Sequence, residues 1–138
     1  MHHPRRRFLK VLAATPLVAC SGGSGVAATF GSVSAGNVSA TSLGTLTAVP
    51  GAPAILARDA NGLYAMTATC THEGCDVSPS GNTLYCACHG SRFDSNGAVL
   101  QGPAGSPLVH FAVSVDANGN ITVDGTMQVA ATTRAVVS

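Results

Sequence analysis

Cys70–Phe93 reads CTHEGCDVSPSGNTLYCACHGSRF and holds four of the chain's five cysteines and two of its five histidines. Cys70-x-His72 and Cys86-x-x-His89 each offer a thiolate and an imidazole within one turn, and Cys75 and Cys88 fall inside the same two loops. Six soft donors are more than a four-ligand metal site needs. Zinc fits the ligand types, but the His-x₃₋₅-His spacing of a finger is absent. Two disulfides suit an exported protein, yet leave His72 and His89 without a role. An iron–sulfur centre with two Cys and two His ligands takes four of the six and leaves a pair to close a disulfide. On ligand types alone the three readings stand side by side, and the last uses every residue.

Outward from this stretch the chain is a series of short strand signals separated by turn chemistry. LTAV precedes the PGAP turn, and AILAR and LYAMTATC flank DANG, whose Asn61-Gly62 suits a tight hairpin. TLYC leads into the second Cys/His group, and DSNG (Asp94–Gly97) is a further turn. LVHFAVSV and NITV make a last hairpin across DANGN. Its alternation puts Val109, Phe111, Val113 and Val115 on the core face, so His110 is expected to face solvent. No amphipathic helical stretch follows residue 20. The pattern predicts an all-β domain of small antiparallel sheets packed as a barrel or sandwich.

Charge is sparse, at 9% of residues, and unevenly placed. Arg5, Arg6, Arg7 and Lys10 crowd the first ten residues; from Cys20 onward three arginines stand against six acids, a net charge of −3 without a lysine. A nucleic-acid partner needs a basic face and is not expected on that ground. RRRFLK (Arg5–Lys10) resembles the twin-arginine export consensus. The apolar run Val11–Ala19 falls short of the about 20 residues that cross a bilayer. LVAC (Leu17–Cys20) resembles a bacterial lipobox, with Cys20 as the lipidated residue. The expected organisation is a signal peptide over 1–19, a Gly/Ser-rich tether over 20–35, a folded domain over 36–125 and a C-terminal tail over 126–138. An exported location, periplasmic or otherwise extracytoplasmic, with lipid anchoring to a membrane, follows from these two motifs.

CTHEGC and CACHGSRF resemble the two boxes of the Rieske iron–sulfur family, and GPAGSP (Gly102–Pro107) resembles the proline loop that follows them. The resemblance implies a small Rieske-type fold of antiparallel sheets, with a cluster-binding subdomain made of two loops around one [2Fe–2S] cluster. It implies Cys70 and Cys86 on one iron, His72 and His89 on the other, and a Cys75–Cys88 disulfide joining the loops. Imidazoles in place of thiolates remove negative charge, which is why such centres reach roughly −150 to +300 mV against about −400 mV for plant-type ferredoxins. The family also implies a hydrogen bond from Ser91 to a bridging sulfide, and Phe93 stands where high-potential members carry a donor Tyr. The extra cysteine pair points to the cytochrome bc, cytochrome b6f and arsenite-oxidase branch rather than to oxygenases and their ferredoxins. Glu73 occupies a position commonly Leu in quinol-oxidising members, and a carboxylate there suits a polar docking surface better than a quinol pocket. The expected activity is one-electron transfer between a redox-protein donor and acceptor, such as a cytochrome or the large subunit of an oxidoreductase. The iron–sulfur subunit of a quinol-oxidising complex and the small subunit of a molybdenum oxidoreductase are the alternatives. No residue pattern argues for an independent catalytic site.

Overall fold

The computed structural model describes residues 29–138. The export motif, Cys20 and the first part of the tether lie outside the described residues. Ten strands follow: β1 (Ser32–Asn37), β2 (Leu46–Ala48), β3 (Ala54–Asp59), β4 (Gly62–Thr67), β5 (Val77–Ser80), β6 (Thr83–Cys86), β7 (Arg92–Phe93), β8 (Val99–Gln101), β9 (His110–Val115) and β10 (Asn120–Val129). One short 3-10 turn, Val38–Ala40, joins them, and there is no α-helix among the described residues. Every pairing is antiparallel. Six strands form a base sheet in the order β1-β10-β9-β4-β3-β2, and four form a second sheet in the order β5-β6-β7-β8.

β3 and β4 are the spine because their side chains are apolar on both faces. Along each strand alternate residues point to opposite sides. Ala54, Leu56, Leu63 and Ala65 enter one core cluster with Phe111, Ile121 and Val123. Ile55, Ala57, Tyr64 and Met66 enter the other, with Val77, Leu84, Phe93, Cys70 and Cys86. The first cluster consolidates the base sheet. The second seats the small sheet, and with it the cysteine loops, on the base. The DANG hairpin closes as its sequence suggests: Asp59 pairs with Gly62, and the Asp59 carboxylate accepts from the amides of Asn61 and Gly62 at 2.8 and 3.2 Å.

β9 corrects one expectation. His110 does not face solvent; it is 2% exposed. Alternation assigns it to the outer face only if that face is bare. Here the face carries Tyr64 and the turn after β7, so the first half of β9 is buried on both sides, whereas Ser114 further along is exposed. The C-terminal residues are also more engaged than a tail without motifs suggests. β10 runs on to Val129, and Ala135 then exchanges backbone hydrogen bonds with Leu63 at 2.8 and 2.9 Å. Arg134 donates from Nε to the Asp59 carboxylate at 2.7 Å and lays its guanidinium 3.8 Å from the centre of the Tyr64 ring.

Candidate metal centre

The two cysteine loops are built alike. In each, the first cysteine's N–H donates to the carbonyl five residues on: Cys70 to Cys75 at 2.7 Å, Cys86 to Ser91 at 2.9 Å. The same cysteine's carbonyl accepts from the glycine four residues on, Gly74 or Gly90, at 3.0 Å in both loops. Those glycines lie at φ 76° and 82°, a left-handed backbone that a side chain would strain. Each loop is thus a self-closed turn. The Cys75–Cys88 disulfide bolts the two together.

Within this frame the donors separate by burial. Cys70 and Cys86 are free and buried. His72 and His89 are exposed at the tip, their rings 4.9 Å apart and nearly perpendicular. Glu73 lies beside them, its carboxylate 3.6 Å from His89 Nε2. Burial pushes the Cys86 thiol pKa up, and the neighbouring Cys70 adds to this; the backbone N–H groups of Cys88 and His89, aimed at the Cys86 sulfur, work the other way. Amide N–H groups aimed at a sulfur favour its charged form, as a metal thiolate requires.

A third loop closes over the other two. The Thr71 hydroxyl donates to the Ser106 carbonyl at 2.7 Å, and the Gln101 amide donates to the Gly90 carbonyl at 3.2 Å. The Ala104 N–H donates to Ser91 Oγ at 2.9 Å. Ser91 is fully buried, and with its oxygen accepting from Ala104 its hydroxyl hydrogen is free to donate to a further acceptor. Two buried thiols, a buried donor, amides aimed at sulfur and two imidazoles opening to solvent together fit a cluster with mixed Cys and His ligation. They do not resemble a zinc finger, and a pure disulfide module leaves the two thiols unused.

Sequence reasoning found the loops and the disulfide pair but missed Thr71, Gln101 and Ala104. The first sits inside a recognised box and could have been suspected. Ala104 likewise lies within GPAGSP, the segment read as the proline loop, whereas the Gln101 side chain reaches the Gly90 carbonyl from the end of β8 with no local signal to announce it.

An all-β domain with an iron–sulfur loop pair at one end is a small redox module. Residues 33–121 match the family model of the Rieske [2Fe-2S] domain, and the chain belongs to that family. The domain therefore binds a [2Fe–2S] cluster. Among curated proteins, the cytochrome b6-f complex iron-sulfur subunit of Synechococcus sp. (strain CC9605) is 46% identical over 67 residues, which are 47% of this chain and 37% of that protein. A putative Rieske 2Fe-2S iron-sulfur protein of Bacillus subtilis, YhfW, is 50% identical over 54 residues, 37% of this chain and 11% of that one. The chain thus spans little more than a third of the length of the cytochrome b6-f relatives it matches. Among solved structures, the cyanobacterial plasma membrane Rieske protein PetC3 from Synechocystis PCC 6803 superposes with a TM-score of 0.52 at 30% identity, covering 67% of this chain and 98% of that one. A chain from the oxygenase–ferredoxin complex of carbazole 1,9a-dioxygenase also gives 0.52, at 26% identity, covering 72% and 96%.

Proposed function

We propose that the domain is a one-electron carrier whose cluster is held by Cys70 and Cys86 on one iron and by His72 and His89 on the other. The observation that carries this is the sorting of donors: two free thiols buried under Phe93 and Leu84, and two imidazoles exposed on facing loops. When bound, the cluster supplies a single reversible one-electron step. The protein's part is to exclude water from the sulfur side and to present the histidine side to a partner. The disulfide and the third loop keep the ligand loops from moving as charge changes, which lowers the reorganisation that electron transfer must overcome. Ser91 stands ready to donate its hydroxyl hydrogen to the cluster. Visible absorption and electron paramagnetic resonance of the purified protein test the reading: a colourless, silent protein would overturn it.

Partners follow from the tip. Glu73 is exposed there beside His89, which suits a redox protein with basic groups around its exposed cofactor rather than an apolar quinol. The cytochrome b6-f subunits and the plasma membrane Rieske protein among its relatives support a membrane-associated place. Export through Arg5-Arg6 and lipidation of Cys20 would supply it. The cluster is inserted in the cytoplasm, so a route that moves folded proteins is required. Arg5→Lys with Arg6→Lys is expected to retain the protein inside the cell. Cys20→Ser is expected to leave export intact and shift the protein from the membrane to the soluble fraction. Membrane association unchanged in Cys20→Ser would mean another anchor.

The level of the potential tests the residues around the sulfurs. Hydrogen bonds to sulfur stabilise the reduced, more negative state and raise the potential. Phe93 is fully buried in the same cluster as Cys70 and Cys86 and offers no donor. One neutral hydrogen bond contributes about 1 kcal/mol net, equivalent to about 40–50 mV for a one-electron couple. Phe93→Tyr is expected to raise the potential by about that much, and Ser91→Ala to lower it, in a redox titration beside the parent protein. A Phe93→Tyr protein with no upward shift would show that the ring does not point at a ligand sulfur.

A further inference from the structure

We propose that His110 is an acid-sensitive latch holding the turn after β7 against the body of the domain. The turn, Asp94–Gly97, presents three successive carbonyls inward, and each accepts from a different anchor. Ser95 accepts from the Tyr64 hydroxyl at 2.8 Å, Asn96 from His110 Nε2 at 2.9 Å and Gly97 from the Leu108 amide at 2.9 Å. A carbonyl can only accept, so Nε2 carries the hydrogen and the neutral ring has a bare Nδ1. That atom is buried and has no hydrogen-bond partner among the described residues. The ring is stacked on Tyr64, with centroids 5.9 Å apart and planes 12° apart.

A second proton on this ring would place a charge in a sealed site without an acceptor. The groups facing it do not compensate. From the C-terminal segment comes Arg134, whose Nη2 holds the Asn96 side chain at 2.8 Å and whose charge repels an imidazolium. Asp94, on the turn, is the acid that would attract it. The Asp59 carboxylate on β3 is already paired with Arg134. From β4 come Tyr64, uncharged and turned to Ser95, and Met66, and from β10 Val129, both apolar and opposite His110 in the sheet. Burial, the largest influence, and Arg134 accordingly hold the His110 pKa below the ordinary histidine value, against the pull of Asn96 and Asp94. With the closed-state value depressed, the open form takes up a proton first as pH falls. The latch is at full strength above the ordinary histidine range and weakens as pH drops through it. The turn directly follows Phe93, which belongs to the same buried core cluster as Cys70 and Cys86, so its release loosens the packing behind the metal centre.

Hydrogen–deuterium exchange of the cluster-loaded full chain tests this, with the Leu108 amide reporting the turn and the amides of the β3–β4 hairpin as the internal reference. Between about pH 7.5 and about pH 5.5, corrected for intrinsic exchange, Leu108 is expected to lose protection several-fold while the hairpin holds. His110→Gln retains a donor for the Asn96 carbonyl and cannot titrate, so its Leu108 protection is expected to stay level. Constant protection in the parent, or an equal loss in His110→Gln, would overturn the latch. Should that variant not fold, nitrogen resonances of the parent's ring decide: a bare Nδ1 that resists protonation through the ordinary histidine range supports the proposal. An Nδ1–H tautomer, or titration at the ordinary value, overturns it.

Discussion

His89→Ala is expected to give a folded, colourless protein with no cluster signal in electron paramagnetic resonance, and His72→Ala to do the same. Both rings stand exposed at the tip, so truncation leaves no cavity and breaks no core contact. What it removes is one of the two donors proposed for the histidine-side iron, and a cluster held by three protein ligands exchanges with solvent. Circular dichroism should therefore match the parent while visible absorption disappears. Cys70 and Cys86 lie on the other side of this argument, because both are buried in the contact between the sheets. Their removal combines ligand loss with a packing defect. Ser is the better replacement there, since it keeps the shape and tests the sulfur alone. A variant at any of the four positions that kept full absorbance would remove that residue from the ligand set.

The metal centre was legible in the sequence because each of its loops closes on itself within five residues. Spacing of Cys, Gly and His along the chain is spacing in space when the turn is that short. β3 and β4 were legible for a related reason: a run of apolar residues bounded by turns reads as a strand buried on both faces. β5, β7 and β8 gave little signal. β5 is an edge strand that contains Pro79, and β7 is two residues long, so both owe their form to neighbours rather than to their own pattern. His110 was misread because alternation reports which side a residue faces and not what covers that side. Arg134 was invisible altogether. Its partners Asp59 and Asn96 lie 75 and 38 residues away, and nothing local distinguishes it from an ordinary surface arginine.

Removing the disulfide, as Cys75→Ser with Cys88→Ser, is expected to cost stability unequally in the two forms of the protein. The bond closes a loop of sequence separation 13. A link of that length stabilises a folded chain by about 3 kcal/mol, chiefly by restricting the unfolded ensemble. For a domain of this size that corresponds to a fall of about 10 °C in the unfolding midpoint, and the cluster-free protein should show all of it. In the loaded protein the ligand set proposed here already joins the same two loops, through Cys70 and His72 on one side and Cys86 and His89 on the other. While the cluster stays on the unfolding chain, two cross-links between the same loops restrict it little more than one does. The loaded double variant should therefore stay coloured and fall by clearly less, with its loss showing instead as faster release of iron under chelator. The self-closed backbone of each loop and the third loop's ties to Thr71 and Ser91 remain to hold the ligands in place. Paired thermal melts of loaded and cluster-free protein, parent against variant, measure the difference directly. An equal fall in both forms would mean that the unfolded chain does not keep the cluster as a second link between the two loops. A double variant unable to take up a cluster would mean that the disulfide positions the ligands rather than reinforcing them.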